Sequence, residues 1–200
     1  MKNRIAFFAM AFILLACADA QSTDQLGPSC KSTYLKLQIP QIPQGFGTSW
    51  CWAATAQNVM AFQGKQTEQC EIVAKVYSYV TNEPCCGSTA TECWGLGGYP
   101  EWAFDQFQFS YLPPKTRNAN LTWTNATEEI CQNRPFISSL DLVGGDRHSV
   151  VVTGYDVIQG VRIYDPSLND LAWESFADFF EDQSLDYERF RDTYNIHPNQ

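Results

Sequence analysis

The cysteines constrain this chain more than any other feature. Seven of its eight lie beyond residue 20: Cys30, Cys51, Cys70, Cys85, Cys86, Cys93 and Cys131. They follow the opening MKNRIAFFAMAFILLACADA, with Lys2 and Arg4, an apolar run from Ile5 to Ala16, and the small-residue ending Ala18-Asp19-Ala20. A basic start, a short apolar stretch and an A-x-A ending make a secretory signal over residues 1–20, cleaved before Gln21 and too short to span a bilayer. Cys17 leaves with that leader. A rival cut at Leu14-Leu15-Ala16-Cys17 would lipidate it instead, but Leu15 suits the bacterial lipoprotein box poorly. Export delivers the remaining thiols to an oxidising compartment, where cysteines pair. Seven cannot all pair within one chain. Setting Cys51 aside leaves six, enough for three disulfides, and the sequence does not choose among their fifteen pairings. Zinc is a poor competitor, because no C-x-x-C pair or nearby histidine supports it.

Residues 21–200 form one domain: 44% hydrophobic composition suits a real core, and no repeat, linker or low-complexity tract divides them. Removing Lys2, Arg4 and Asp19 with the leader leaves 11 bases and 21 acids, a net charge near −10. The acids are spread along the chain, which argues against nucleic acid or an anionic membrane as partner. No later segment is apolar for long enough to cross a bilayer. The expectation is a secreted monomer, extracellular or periplasmic, with no cofactor and no metal.

Helical patterns come first and strands afterwards. Leu35, Leu37 and Ile39 alternate with polar residues before Pro40, a short strand. A helix is predicted from an N-cap at Thr48 or Ser49 to Gly64, with Trp52, Ala56, Val59 and Met60 on its apolar face. Thr67 would cap a second helix carrying Ile72, Val73 and Val76. A third follows Pro100, with Trp102, Ala103 and Phe107 inward. Between them, residues 82–98 read as a loop rich in cysteine and glycine. The second half reads as the strands RPFISSLDL, RHSVVVTGYDV, GVRIYDP and RFRDTYNIH, interrupted by a helical LAWESFADFFED. This order implies an α+β domain: a helical half, an antiparallel β half, and a cleft between them.

Cys51 sits in the first turn of its helix, where unpaired N–H groups and the macrodipole favour a negative charge. A thiolate nucleophile needs a histidine to carry its proton. Two histidines exist. His197 lies in the terminal IHPNQ and reads as solvent-facing, whereas His148 begins the buried-looking strand HSVVVTGYD. Asp165, at the end of VRIYDP, is the best orienter for that imidazole, with Asn169 in reserve. A symmetrical hairpin turning near Ile158 would leave His148 and Asp165 about three positions out of register, so a bulge or an earlier turn is required. The oxyanion of an acyl transfer would take one hydrogen bond from the Cys51 backbone. A second would come from the Gln44 side chain, with Gln41 the weaker choice.

Four segments carry a family resemblance. CWAATA resembles the catalytic helix of papain-like cysteine peptidases, whose nucleophile is followed by Trp-Ala. Gln44-Gly45 is similar to the start of the family's oxyanion segment, HSVVVTGY to its histidine strand, and CWGLGGYPEWAFDQF to its Gly-Gly-Tyr-Pro segment. They occur in the family's order and span Gln44 to Asp165. The Trp-Cys-Trp-Ala-Ala form is most similar to short secreted bacterial members without a pro-domain, the avirulence-protease type of plant pathogens. The resemblance implies a papain-like two-lobe fold with Cys51 as nucleophile, His148 as base and acid, Asp165 as orienter and Gln44 as oxyanion donor. Gly97, Gly98 and Tyr99 would contact substrate. Differences from the family are plain. Gln44 lies seven residues before Cys51 rather than six, the upstream half-cystine is absent, and the third residue is Asp rather than Asn. Ser167 stands where a tryptophan usually shields that residue. Cys51 and His148 are 97 residues apart, against about 130–150 in papain and cathepsins, so several loops must be shorter.

The expected function is a secreted cysteine endopeptidase acting on protein or peptide substrates through an acyl-thioester. The same machinery would also serve an amidase, deamidase or transglutaminase, and a non-catalytic disulfide-stapled binding protein is the third alternative.

Overall fold

The first strand, β1 (Tyr34–Lys36), is three residues long and antiparallel to the far end of β4 (Arg147–Asp156). Leu37 extends the contact by donating to the Thr153 carbonyl at 2.7 Å. This approach requires glycine at 154, where a Cβ would stand 2.6 Å from the Leu35 oxygen. In this computed structural model the described residues are 26–78, 85–87, 91–112, 121–181 and 186–199. The leader expected over residues 1–20, with Cys17, lies outside them.

The other strands are β2 (Phe109–Leu112), β3 (Phe136–Leu142), β5 (Gly160–Asp165), β6 (Asp170–Glu174) and β7 (Tyr187–Pro198). All pair antiparallel, in the order β2-β7-β3-β4-β5-β6. Strand alternation sends successive residues to opposite faces, and here both faces are buried. Ile137, Val151 and Tyr164 join one core with the helices α1 (Cys51–Phe62), α2 (Gln69–Val76) and α3 (Pro100–Phe107). Phe136, Val150, Val152 and Ile163 join a second with α4 (Trp123–Cys131) and α5 (Phe176–Phe180). This is the mixed helix and antiparallel sheet expected, with α4 on the far face as an element the sequence did not announce.

Four local readings need correction. The α1 N-cap is Trp50, with no side-chain cap, rather than Thr48 or Ser49. Glu68 and Glu71 form the capping box of α2, so Thr67 stands just outside. LAWESFADFFED is not one helix. Leu171 and Trp173 alternate within β6, and Ser175 accepts from the Asp178 N–H to start α5 only there. Pro100 does open α3. Trp102, expected inward, is 40% exposed because it stands at the cleft edge, edge-on to Trp52 and Tyr99.

Candidate active site

Ten consecutive residues of α1, Trp52 to Ala61, are buried, so the helix runs through the core and only its start reaches the cleft. Cys51 is its first residue and is partly exposed. The tryptophans on either side are anchors. The Trp50 indole donates to the Cys93 carbonyl at 2.8 Å, and that of Trp52 to the Leu96 carbonyl at 3.1 Å. Ser49 N–H donates to the Trp94 carbonyl at 2.7 Å. Two buried indoles thus hold the helix start against the segment that precedes Gly97. That segment is itself tied by a disulfide, Cys85–Cys93. The other pairs are Cys30–Cys131 and Cys70–Cys86, and Cys51 is the free cysteine among the described residues.

His148 enters from β4 and Asp165 from the end of β5. The β4–β5 ladder slips by one residue between Val152 and Gly154, so Val151 pairs with Tyr164. That bulge is the device the hairpin arithmetic demanded. It carries Asp165 to the position opposite Val150, one same-face step from His148. The His148 Nε2 lies 2.9 Å from Asp165 Oδ1, and its ring is also hydrogen-bonded to the sulfur of Cys51. Burial disfavours the charged ring. The hydrogen bonds and charges of Asp165 and Cys51 outweigh it and push the His148 pKa up to about 9. Asp165 is held below the ordinary carboxylate range. Burial opposes this, but the imidazole and the hydroxyl and N–H of Ser167 prevail.

Gln44 lies in the same cleft on a strap fixed by buried amides. Asn58 on α1 accepts from Ile42 N–H and donates to the Ile42 carbonyl, each at 2.8 Å. Gln69 donates to the Pro43 carbonyl at 2.7 Å and accepts from Gly45 N–H at 2.9 Å. Gln44 itself donates through its backbone to the Pro166 carbonyl at 2.7 Å, which ties the strap to the loop after Asp165. Its side-chain Nε2 donates to the Thr48 carbonyl, leaving the second amide hydrogen uncommitted to that bond.

Gly97, Gly98 and Tyr99 form the opposite wall. A Cβ on Gly98 would come within 2.7 Å of the Trp52 ring, so only glycine lets the backbone lie flat there. The Tyr99 hydroxyl is bonded to Arg147, and the guanidiniums of Arg147 and Arg191 lie 5.9 Å and 5.0 Å from its ring centre. With Trp102, Ser139, Ser149 and Ser167 these residues line a cleft of about 610 Å³. No group of three His, Cys, Asp or Glu side chains among the described residues could hold a metal.

Three reserve candidates do not join the site. Asn169, in the left-handed region, accepts from the Tyr164 hydroxyl at 3.0 Å instead of meeting the imidazole. Gln41 is exposed. His197 is exposed on β7, bonded to the Asn195 carbonyl. Asn58, Gln69 and Ser167 are site residues that pattern reading passed over. The signal for the first two is a pair of amides at positions that helical spacing buries.

No curated protein sequence matches the chain. Several solved structures share the fold, and two of them do so at identities that show fold alone. The peptidase domain of Streptococcus ComA, a bifunctional ABC transporter involved in a quorum-sensing pathway, superposes with a TM-score of 0.51 at 16% identity, over 81% of this chain and 98% of that one. Xylellain, a cysteine protease from Xylella fastidiosa, gives 0.52 at 12% identity, over 90% of each chain. The fold is that of the papain-like cysteine peptidases. Residues 36–195 match the Peptidase_C39-like family, and on that match, over most of its length, the chain belongs to this family of cysteine-type peptidases.

Proposed function

We propose that the protein is a secreted cysteine endopeptidase working through Cys51, His148 and Asp165. The observation that carries this reading is one imidazole hydrogen-bonded on one side to the free cysteine and on the other to a carboxylate. The raised basicity of His148 supports an imidazolium beside a Cys51 thiolate. The thiolate attacks the scissile carbonyl, and the oxygen that becomes negative takes the Cys51 backbone N–H and the second Nε2 hydrogen of Gln44. His148 then passes its proton to the leaving amine, and the acyl-thioester forms. Water, deprotonated by the now neutral His148, releases the acid and restores the ion pair. Asp165 keeps the ring turned toward the sulfur throughout. The acyl side of a peptide would lie along Gly97-Gly98 beside Tyr99. Residues 1–20 as a secretory signal agree with three disulfides, which persist in oxidising compartments. No helix among the described residues is long and apolar enough to cross a membrane.

The test is digestion of fluorescein-labelled casein by the chain beginning at Gln21, with and without a papain-directed epoxide inhibitor. Cleavage that the inhibitor and Cys51→Ala both abolish supports the reading. Covalent labelling at Cys51 without cleavage of any protein would move it to an amidase or acyl transferase. A Cys51 that reacts with iodoacetamide at pH 6 no faster than a simple thiol would overturn it.

A further inference from the structure

Asp165 does not meet His148 alone. One of its oxygens, Oδ1, accepts from His148 Nε2 at 2.9 Å, from Ser167 N–H at 2.7 Å, from Ser167 Oγ at 2.7 Å and from Leu168 N–H at 3.4 Å. The ion pair is only partly screened from water, with side-chain exposures of 15% for His148 and 18% for Asp165. Water can therefore compete for the carboxylate, and a freely rotating Asp165 would offer the ring two equivalent oxygens. Ser167 stands at the edge where that water would arrive. It lines the cleft, and its hydroxyl lies 3.5 Å from His148 Nε2. The chain path holds it there: Gln44 N–H is bonded to the carbonyl of Pro166, one residue before.

We infer that Ser167 is a positioning residue: its hydroxyl selects the Asp165 oxygen that faces the imidazole and keeps that oxygen ionised. This rests on the reading of Cys51, His148 and Asp165 as the reacting series. Two donors from one residue to one oxygen fix the carboxylate's rotation, because turning it would break both at once. The hydroxyl bond to an ionised acceptor is of the stronger, charge-assisted kind. It stabilises the carboxylate over the neutral acid and so keeps the His148–Asp165 pair intact to lower pH. The titratable groups facing Asp165 are His148 on β4, its neighbour Tyr164, and Asp170 across the β5–β6 pair, with Cys51 on the other side of the imidazole. The Ser167 hydroxyl is the neutral side-chain donor to Oδ1, and its removal leaves all of these in place.

The substitution Ser167→Ala separates this role from a plain turn, because the backbone N–H bond to Asp165 survives it. The sequence has two histidines, so the low-field Nε2–H proton resonance of His148 is assigned in the full mature protein by comparison with His197→Gln. Casein cleavage is followed in parallel. In Ser167→Ala the resonance is expected to vanish at a pH about one unit higher on acidification than in the parent, and cleavage to fall about threefold to tenfold, by loss of one charge-assisted bond to the orienting group. Ser167→Thr, which keeps the hydroxyl, restores both. A resonance and a cleavage profile in Ser167→Ala that superpose on the parent's would overturn the inference. Asp165→Ala, which removes the acceptor that the family's own Asn would keep, distinguishes the two levels. If it loses activity while Ser167→Ala does not, the positioning role alone fails. If Asp165→Ala cleaves casein like the parent, the assignment of Asp165 fails and takes this inference with it.

Discussion

The side-chain amide of Asn58 closes on the backbone of Ile42 at both ends, 2.8 Å from its N–H and 2.8 Å from its carbonyl. The bonds join the wholly buried middle of α1 to the strap that carries Gln44 two residues later. Asn58→Ala would leave Ile42 with two unpaired groups against the core. An unsatisfied fully buried group costs about 1–3 kcal/mol; these two are part-buried and water can reach them, so urea unfolding should report a loss of about 2 kcal/mol for the pair. The turnover number should fall about tenfold through misplacement of the Gln44 amide donor. A stability loss with unchanged turnover would detach the strap from catalysis.

Acidity and activity are linked through His148. Its pKa near 9 is above the unfolded value of about 6.5. The ring therefore contributes stability fully below pH 6.5, and this contribution fades as pH rises through 9. For Asp165 the sign is opposite: its folded value is lowered, so its contribution is present above the unfolded value and is lost as pH falls through the folded one. The rate of casein cleavage should accordingly decline on the alkaline side near pH 9, as the imidazolium that protonates the leaving amine disappears. In Asp165→Asn the burial that opposes charging is no longer offset by a carboxylate, and the alkaline limb should move toward neutrality. A pH–rate profile with its limb still at 9 in that variant would contradict the pairing.

Gly98 tests the substrate wall. A methyl group there would meet the Trp52 ring at 2.7 Å and the Trp102 ring at 3.1 Å. Overpacking of this kind costs about 1–3 kcal/mol, and Trp52 is 1% exposed and cannot turn away. Gly98→Ala should lower the thermal midpoint. It should also raise KM for a peptide substrate more than it lowers the turnover number, because it lifts the wall rather than touching the sulfur. Gly95→Ala, which meets nothing within 4 Å, is the control.

The disulfides divide into one for stability and one for the site. Cys30–Cys131 closes a separation of 101 residues and Cys85–Cys93 one of 8. Loop-closure entropy gives about 4–5 kcal/mol for the long loop, an upper figure because the other two bridges already shorten it, and about 2–3 kcal/mol for the short one. Paired Cys→Ser substitution at 30 and 131 should thus lower the thermal midpoint more. Substitution at 85 and 93 should lower activity more, since the Cys93 and Leu96 carbonyls hold the two indoles beside Cys51. Equal effects of the two pairs on casein cleavage would remove this division.

Much of this was legible because it depends on local chemistry. Seven cysteines beyond residue 20 leave one unpaired and the helix start points to Cys51, Pro100 opens α3, and the apolar run of β4 is a strand buried on both faces. Where the reading went astray, two local signals competed. Leu171 and Trp173 fit a strand or a helix equally well over so short a stretch, and only the Ser175 cap decides where α5 begins. Apolarity alone points Trp102 to the core, although a large aromatic ring can also wall a cleft.

By itself the sequence determined which side chains are candidates for chemistry: one sulfur at a helix start, one imidazole at a strand start, an acid at the end of the next strand. Their order and residue types are covalent facts. The tertiary structure alone decided that they touch. Whether His148 reaches Asp165 turns on a one-residue slip between Val152 and Gly154, and the three cross-links and the Asn58 and Gln69 clasps on the Gln44 strap all join residues whose meeting no local pattern encodes. The physical reason is that periodicity reports which face a residue prefers, whereas register and long-range amide bonds are settled only when all the faces pack at once.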